Sequence, residues 1–170
     1  MSETASAQRK RFRKWQNLAH ARTRFLSTQV ETTLAAWFEQ QGFLRVDLNL
    51  SDPQWPVRGS EIVLERVVGE QVDVVTFNFD KYRTPRFQLH AQRRVQAPPH
   101  EFVRSCNLVA RRSQYYHFWG KPWWLPTRFW SDSGSLRTIG KVAPRLEQLV
   151  RFLEHGEIGP NISRGAHRPA

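Results

Sequence analysis

The chain has 170 residues, a formal net charge of +11, a pI near 11.0 and a single cysteine, Cys106. The length suits one domain built round one hydrophobic core. A lone cysteine excludes an intramolecular disulfide and a cysteine-based metal site, which points to a reducing cytoplasm. No window approaches a membrane span and no apolar run follows the basic N-terminus, so neither a membrane location nor an export signal is expected.

Residues 1–10 are expected to form a disordered basic arm, because they offer little to bury. The basic run Arg9, Lys10, Arg11, Arg13 and Lys14 begins at its end, and residues 1–24 carry a net +6. From Arg11 onward Trp15, Leu18, Phe25, Leu26, Val30, Leu34, Trp37 and Phe38 recur at three- and four-residue steps. That period predicts a helix, broken near His20, that runs to about Gln41 and stops at Gly42. Residues 43–50 alternate strictly, predicting a strand with Leu44, Val46, Leu48 and Leu50 on one side and Arg45, Asp47 and Asn49 on the other. Residues 51–59 contain two prolines and a glycine and read as a loop carrying Trp55.

Residues 60–95 read as three antiparallel strands. Val68-Gly69-Glu70-Gln71 places glycine at the first central position of a two-residue hairpin, where positive φ is needed. Pairing Val68 with Gln71 sets Arg66 opposite Asp73, Leu64 opposite Val75 and Ile62 opposite Phe77 on an apolar face. The other face opposes Glu65 to Val74, Val63 to Thr76 and Glu61 to Asn78. In the third strand Phe87, Leu89 and Ala91 alternate against Arg86, Gln88, His90, Gln92 and Arg94. Pro98 and Pro99 end it, since proline cannot donate to a ladder. Residues 80–114 return to a net +6, after a net −5 over residues 25–79.

Residues 102–110 are too short to assign between helix and strand. Residues 115–130 hold eight aromatics in sixteen positions, with Gly120, Pro122 and Pro126 precluding a continuous helix. Val142 to His155 predicts a second amphipathic helix with Pro144 in its first turn and Gly156 as its cap. Residues 157–170 read as a flexible tail, leaving one domain over residues 11–156. The fold class is α+β, a four-stranded mostly antiparallel sheet with an N-terminal and a C-terminal helix on its apolar face.

Three sets of residues could carry function. Arg86, Gln88, His90, Gln92 and Arg94 line the polar sheet face, which either faces water or uses His90 in proton transfer. Arg104, Arg111 and Arg112 precede Tyr115, Tyr116, Trp119, Trp123 and Trp124, so cations that neutralise phosphates adjoin rings that could stack on unpaired bases or fill the core. Arg9, Lys10, Arg11, Arg13 and Lys14 could contact nucleic acid or cover a solvated helix. A helix followed by an acidic meander resembles a metal-dependent nuclease core, but Asp73 is followed by Val-Val-Thr and Asp80-Lys81 lacks the acid-x-lysine spacing. No phosphate loop, metal-ligand spacing or nucleophile elbow occurs, so no cofactor or metal is expected. The chain therefore reads as a non-enzymatic protein that binds an anionic partner, nucleic acid first and an acidic protein second, with a nuclease as a minor alternative.

Gln41-Gly42-Phe43-Leu44-Arg45 after the first helix, the strand meander, Arg111-Arg112 ahead of Lys121-Pro122-Trp123-Trp124 and the terminal helix together resemble a bacterial α+β domain family sometimes encoded near polymorphic-toxin loci. The resemblance spans about residues 25–155. It implies a small intracellular protein of immunity or accessory type and carries over no catalytic residue.

Overall fold

The computed structural model describes residues 3–47, 57–97 and 101–164, with side chains from Ala7 onward. The expected features at Leu48, Asn49, Leu50, Trp55, Pro98 and Pro99 lie outside the described residues. Helix α1 (Glu3–Asn17) starts well before the point where the sequence suggests disorder to end. Its Gln8 and Phe12 are buried, and the Gln8 amide donates to the Glu61 carbonyl at 2.7 Å, so its basic face rides on a packed helix. Leu18, counted in the apolar stripe, falls beyond this helix and is exposed.

The break near His20 is present. The His20 ring accepts the Arg22 amide at 3.2 Å and opens α2 (Ala21–Gln29), which continues through a π-helical stretch (Val30–Ala35) into α3 (Ala36–Gln40). The strands are β1 (Leu44–Arg45), β2 (Glu61–Val68), β3 (Gln71–Phe79), β4 (Arg86–Val95), β5 (Phe102–Leu108), β6 (Trp119–Gly120) and β7 (Ile162–Arg164). They form one antiparallel sheet in the order β1-β2-β3-β4-β5-β7, with β6 paired to the start of β4. The class is α+β, but among the described residues the sheet has seven strands rather than four.

The hairpin register is the one read from the turn. Val68 pairs with Gln71, Arg66 with Asp73, Leu64 with Val75 and Ile62 with Phe77. Gly69 has φ +61°, the conformation a side chain would resist. Ile62, Leu64, Val75, Phe77, Phe79, Phe87, Leu89 and Ala91 share one core with Phe12, Leu26, Leu34 and Phe38 from the N-terminal helices and with Leu146, Leu149 and Leu153 near the C-terminus. Each large side chain removed from water contributes about 1.5–3 kcal/mol, so both helical layers are held by this face.

The structure departs from the sequence reading in three further places. Arg45 pairs with Leu64, which puts Arg45 on the apolar face at 6% exposure and Leu44 on the polar face at 72%, the inverse of the expected assignment. Arg45 survives there because its guanidinium is taken up by Gln8 and Glu31 and lies 5.2 Å above the Phe12 ring. Secondly, the helix expected over Val142–His155 is a 3₁₀ turn (Ala143–Arg145) containing Pro144 followed by α5 (Leu146–His155), and an unexpected helix, α4 (Asp132–Val142), leads into it. Thirdly, Ile162 is buried and β7 extends the sheet beside β5, within the stretch read as a tail. Among the described residues no helix is long and apolar enough to cross a membrane.

Candidate nucleic-acid interface

The loop between β3 and β4, residues 80–85, is built on Asp80. Its carboxylate accepts the Tyr82 amide at 2.9 Å, the Thr84 hydroxyl and the Arg86 guanidinium. Burial opposes its ionisation, but these donors outweigh burial and hold the carboxyl below its usual range. The turn leaves Lys81, Tyr82 and Arg83 exposed at its tip, with the Lys81 ammonium 4.9 Å from the Tyr82 ring centroid.

Segment 115–125 is held against the same loop. β6 pairs Gly120 with Arg86, and the Lys121 amide donates to the Pro85 carbonyl at 2.9 Å. Gly120 has φ +118°, and a Cβ there would fall 2.5 Å from that carbonyl oxygen. Lys121 is itself buried, and its ammonium donates to the Pro122 and Leu125 carbonyls. Burial lowers its pKa and the neighbouring Arg86 lowers it further, against a pull from Asp80. The curl that Lys121 closes presents Trp123 at 84% and Trp124 at 66% exposure. Phe129 is also exposed, with the Arg128 guanidinium 4.8 Å above it. On the other side of β6 the Arg86 guanidinium lies 4.6 Å over Phe118, which meets Tyr116 at 6.3 Å, and Tyr116 meets Tyr115 at 6.3 Å.

The N-terminal helices reach this same end of the sheet. Trp15 of α1 lies 5.3 Å from Phe79, the last residue of β3, and the Thr23 hydroxyl of α2 donates to the Arg83 carbonyl at 2.6 Å. Arg22 and Arg24 flank Thr23, so the first basic block and the start of the second meet in space although some sixty residues separate them. Arg22 is paired with Asp132 at 2.9 Å, while Arg24 is exposed.

The residues singled out from sequence divide accordingly. Lys10, Arg13 and Lys14 are exposed on α1, whereas Arg9 pairs with Glu39 and Arg11 with Asp47. Arg104 is not beside the aromatics; its Nη1 donates to the Phe152 and Leu153 carbonyls and closes the C-terminus of α5. Arg111 and Arg112 are exposed ahead of Tyr115 and Tyr116, which are exposed too. Trp119 belongs to the core at 4% exposure, with its indole N–H bonded to the Leu108 carbonyl at 3.1 Å, so it cannot offer a face to a partner. Arg86, Gln88, His90, Gln92 and Arg94 do share one sheet face, but Gln92 and Arg94 are buried and Arg94 pairs with Glu65 at 3.1 Å. Val57, Val63, Val72 and Val74 form a small apolar cluster on that face.

The two aspartates a nuclease would use are both occupied. Asp73 accepts Arg93 at 2.6 and 2.8 Å and Arg66 at 2.9 Å, and Asp80 is held as described. The Asp80–Arg86–Lys121 cluster and the exposed Tyr82 and Phe129 escaped the sequence reading. The spacing Asp80-x-Tyr82-x-Thr84, with a turn-forming aspartate just after a strand, was the available signal. No protein-family model, no curated protein and no solved structure matches the chain.

Proposed function

We propose that this is a non-enzymatic binding protein whose aromatic and basic end engages single-stranded nucleic acid. The observation that supports the reading best is that the 80–85 loop, and the 111–129 segment that β6 pins to it, carry the exposed rings Tyr82, Tyr115, Tyr116, Trp123, Trp124 and Phe129 and the exposed cations Lys81, Arg83, Arg111, Arg112 and Arg128. Among the described residues none of these five cations is in an ion pair, so their charge is available to phosphates. Open ring faces suit unpaired bases, each stack being worth about 1–3 kcal/mol, and give no advantage on a stacked duplex. The reading is tested by anisotropy titration of labelled single-stranded and duplex DNA and RNA at low salt. Single strands should bind more tightly, and Trp123→Ala with Trp124→Ala should weaken them by about tenfold or more. Absence of binding to any nucleic acid at low salt would sink the proposal.

A second reading, an immunity-type or accessory protein that seats an acidic protein, is favoured by Trp123 alone, since an exposed tryptophan is a common anchor at protein interfaces. Affinity purification from the native cell should then return one stoichiometric acidic protein, and recovery of nucleic acid alone would argue against it.

A further inference from the structure

Beside the aromatic end, the polar face of the sheet carries Thr76, Asn78 and Gln88, side chains with unused hydrogen-bonding capacity among the described residues. Asn78 stands directly opposite Gln88, and Thr76 opposite His90. All four are half-buried. Thr76, Asn78 and Gln88 make no side-chain hydrogen bond to another described residue, whereas His90 is engaged, its Nδ1 3.1 Å from Asn107 Oδ1 and its Nε2 3.5 Å from Ser105 Oγ. Asn107 in turn donates from Nδ2 to the Tyr115 carbonyl at 3.2 Å, which ties the Tyr115–Tyr116 segment along this face.

Gln88 is thereby bracketed. Arg86, stacked on Phe118, precedes it on the same face of β4, and His90, linked through Asn107 to Tyr115, follows it. The Asn78 and Gln88 amides reach solvent and bond no other described residue, so, set side by side, they are open to a ligand that replaces water. An amide offers a donor and an acceptor at the spacing of a base edge, as asparagine and glutamine do toward N6 and N7 of adenine. Glu61, opposite Asn78 on β2, accepts the Arg58 amide at 3.2 Å.

We infer that Asn78 and Gln88 form a base-reading site for single-stranded nucleic acid, with the exposed Tyr115 and Tyr116 as its stacking rim. This rests on the nucleic-acid reading above and adds base preference to it. The aromatic end supplies sequence-tolerant affinity, and the amide pair distinguishes one base from another.

The test is anisotropy titration of the full chain with fluorescein-labelled homopolymers of dA, dC and dT about ten nucleotides long. The wild-type protein should separate its preferred homopolymer from the others by about tenfold or more, the discrimination of one two-point amide contact. Asn78→Ala combined with Gln88→Ala should equalise the three affinities and leave the salt dependence unchanged, with far-UV circular dichroism confirming the fold. Gln88→Glu keeps the side-chain shape, replaces a donor by an acceptor and should reorder the preference. Equal wild-type affinity for all three, or an unaltered ranking in both variants, overturns the base-reading site while leaving general binding intact. No binding of any homopolymer removes both readings.

Discussion

The Thr23 hydroxyl donates a 2.6 Å hydrogen bond to the carbonyl of Arg83. Thr23 is fully buried in α2, and Arg83 is the described non-glycine residue with positive φ, at +56°. This bond anchors the loop that displays Lys81, Tyr82 and Arg83, shaped within itself by Asp80, to the helix that carries Arg22 and Arg24. Through this bond the end of the first basic block meets the start of the second.

Thr23→Val should expose the value of that bond. The shape is kept, the donor is removed, and a partly buried carbonyl is left without its partner, at a cost of about 1–3 kcal/mol. Thermal unfolding should fall by roughly 2–4 °C per kcal/mol for a chain of this size, and Thr23→Ser should restore most of the deficit.

Two glycines should respond in opposite directions to alanine. Gly120 has φ +118° and no room, because its new Cβ would meet the Pro85 carbonyl at 2.5 Å. Gly120→Ala should therefore destabilise by more than about 2 kcal/mol, detaching β6 from β4 and disordering the Trp123–Trp124 curl. Gly140 lies within α4 with nothing near its Cβ position, so Gly140→Ala should stabilise by about 0.5–1 kcal/mol. Urea denaturation midpoints of the two variants check both signs.

Asp73 sits at 0% exposure on the core-facing side of the sheet, gripped by Arg93 and Arg66, and Arg66 extends the network to Glu154 at 3.0 Å. Asp73→Ala leaves the buried Arg93 without its counter-charge and should cost about 3–5 kcal/mol, measured by denaturant unfolding. A change below about 1 kcal/mol would mean that the pair is not needed to close that end of the core.

Glu65 gives the fold a pH dependence of defined sign. Burial raises its pKa from 4.5 to about 7, against the pull of Arg94, whose own pKa burial lowers. The folded chain therefore holds the Glu65 proton more tightly than the unfolded chain does. This contribution to stability is complete below about pH 4.5 and disappears as pH rises through about 7. Glu65→Gln removes the titration while retaining an acceptor for Arg94, so its melting temperature should gain on wild type from about pH 5 to about pH 8. A constant difference across that range would contradict the assignment.

The hairpin was legible to the residue because Gly69 admits one turn and the turn sets every pairing from Val68–Gln71 back to Glu61–Asn78. Residues 43–47 show the limit of alternation. Either side of Leu44-Arg45-Val46 can face inward, and the choice fell to Gln8, Glu31 and Phe12, which receive Arg45 from distant parts of the chain. Helix α4 was missed because its buried positions include Gly134, Ser135 and Thr138, small and polar residues that read as loop. Gly134 leaves room for the Trp130 ring, whose indole N–H bonds to Ser135 at 2.9 Å, and the Thr138 hydroxyl donates to the Gly134 carbonyl. The candidate surface was half legible. Tyr115, Tyr116, Trp123 and Trp124 stood out by composition, but that Trp119 is core and that Arg83 joins α2 depends on tertiary packing no local pattern encodes.

The proposed function turns on the cations around the exposed rings acting together on a polyanion. Its most direct test is the affinity of the intact protein for a single-stranded oligonucleotide measured across a salt series. Log affinity should fall linearly with log salt, and replacing Lys81, Arg83 and Arg128 by Gln should flatten the slope by about 0.7 for each phosphate no longer neutralised, without unfolding the domain. An affinity that does not change with salt, or a slope untouched by the triple replacement, would contradict it.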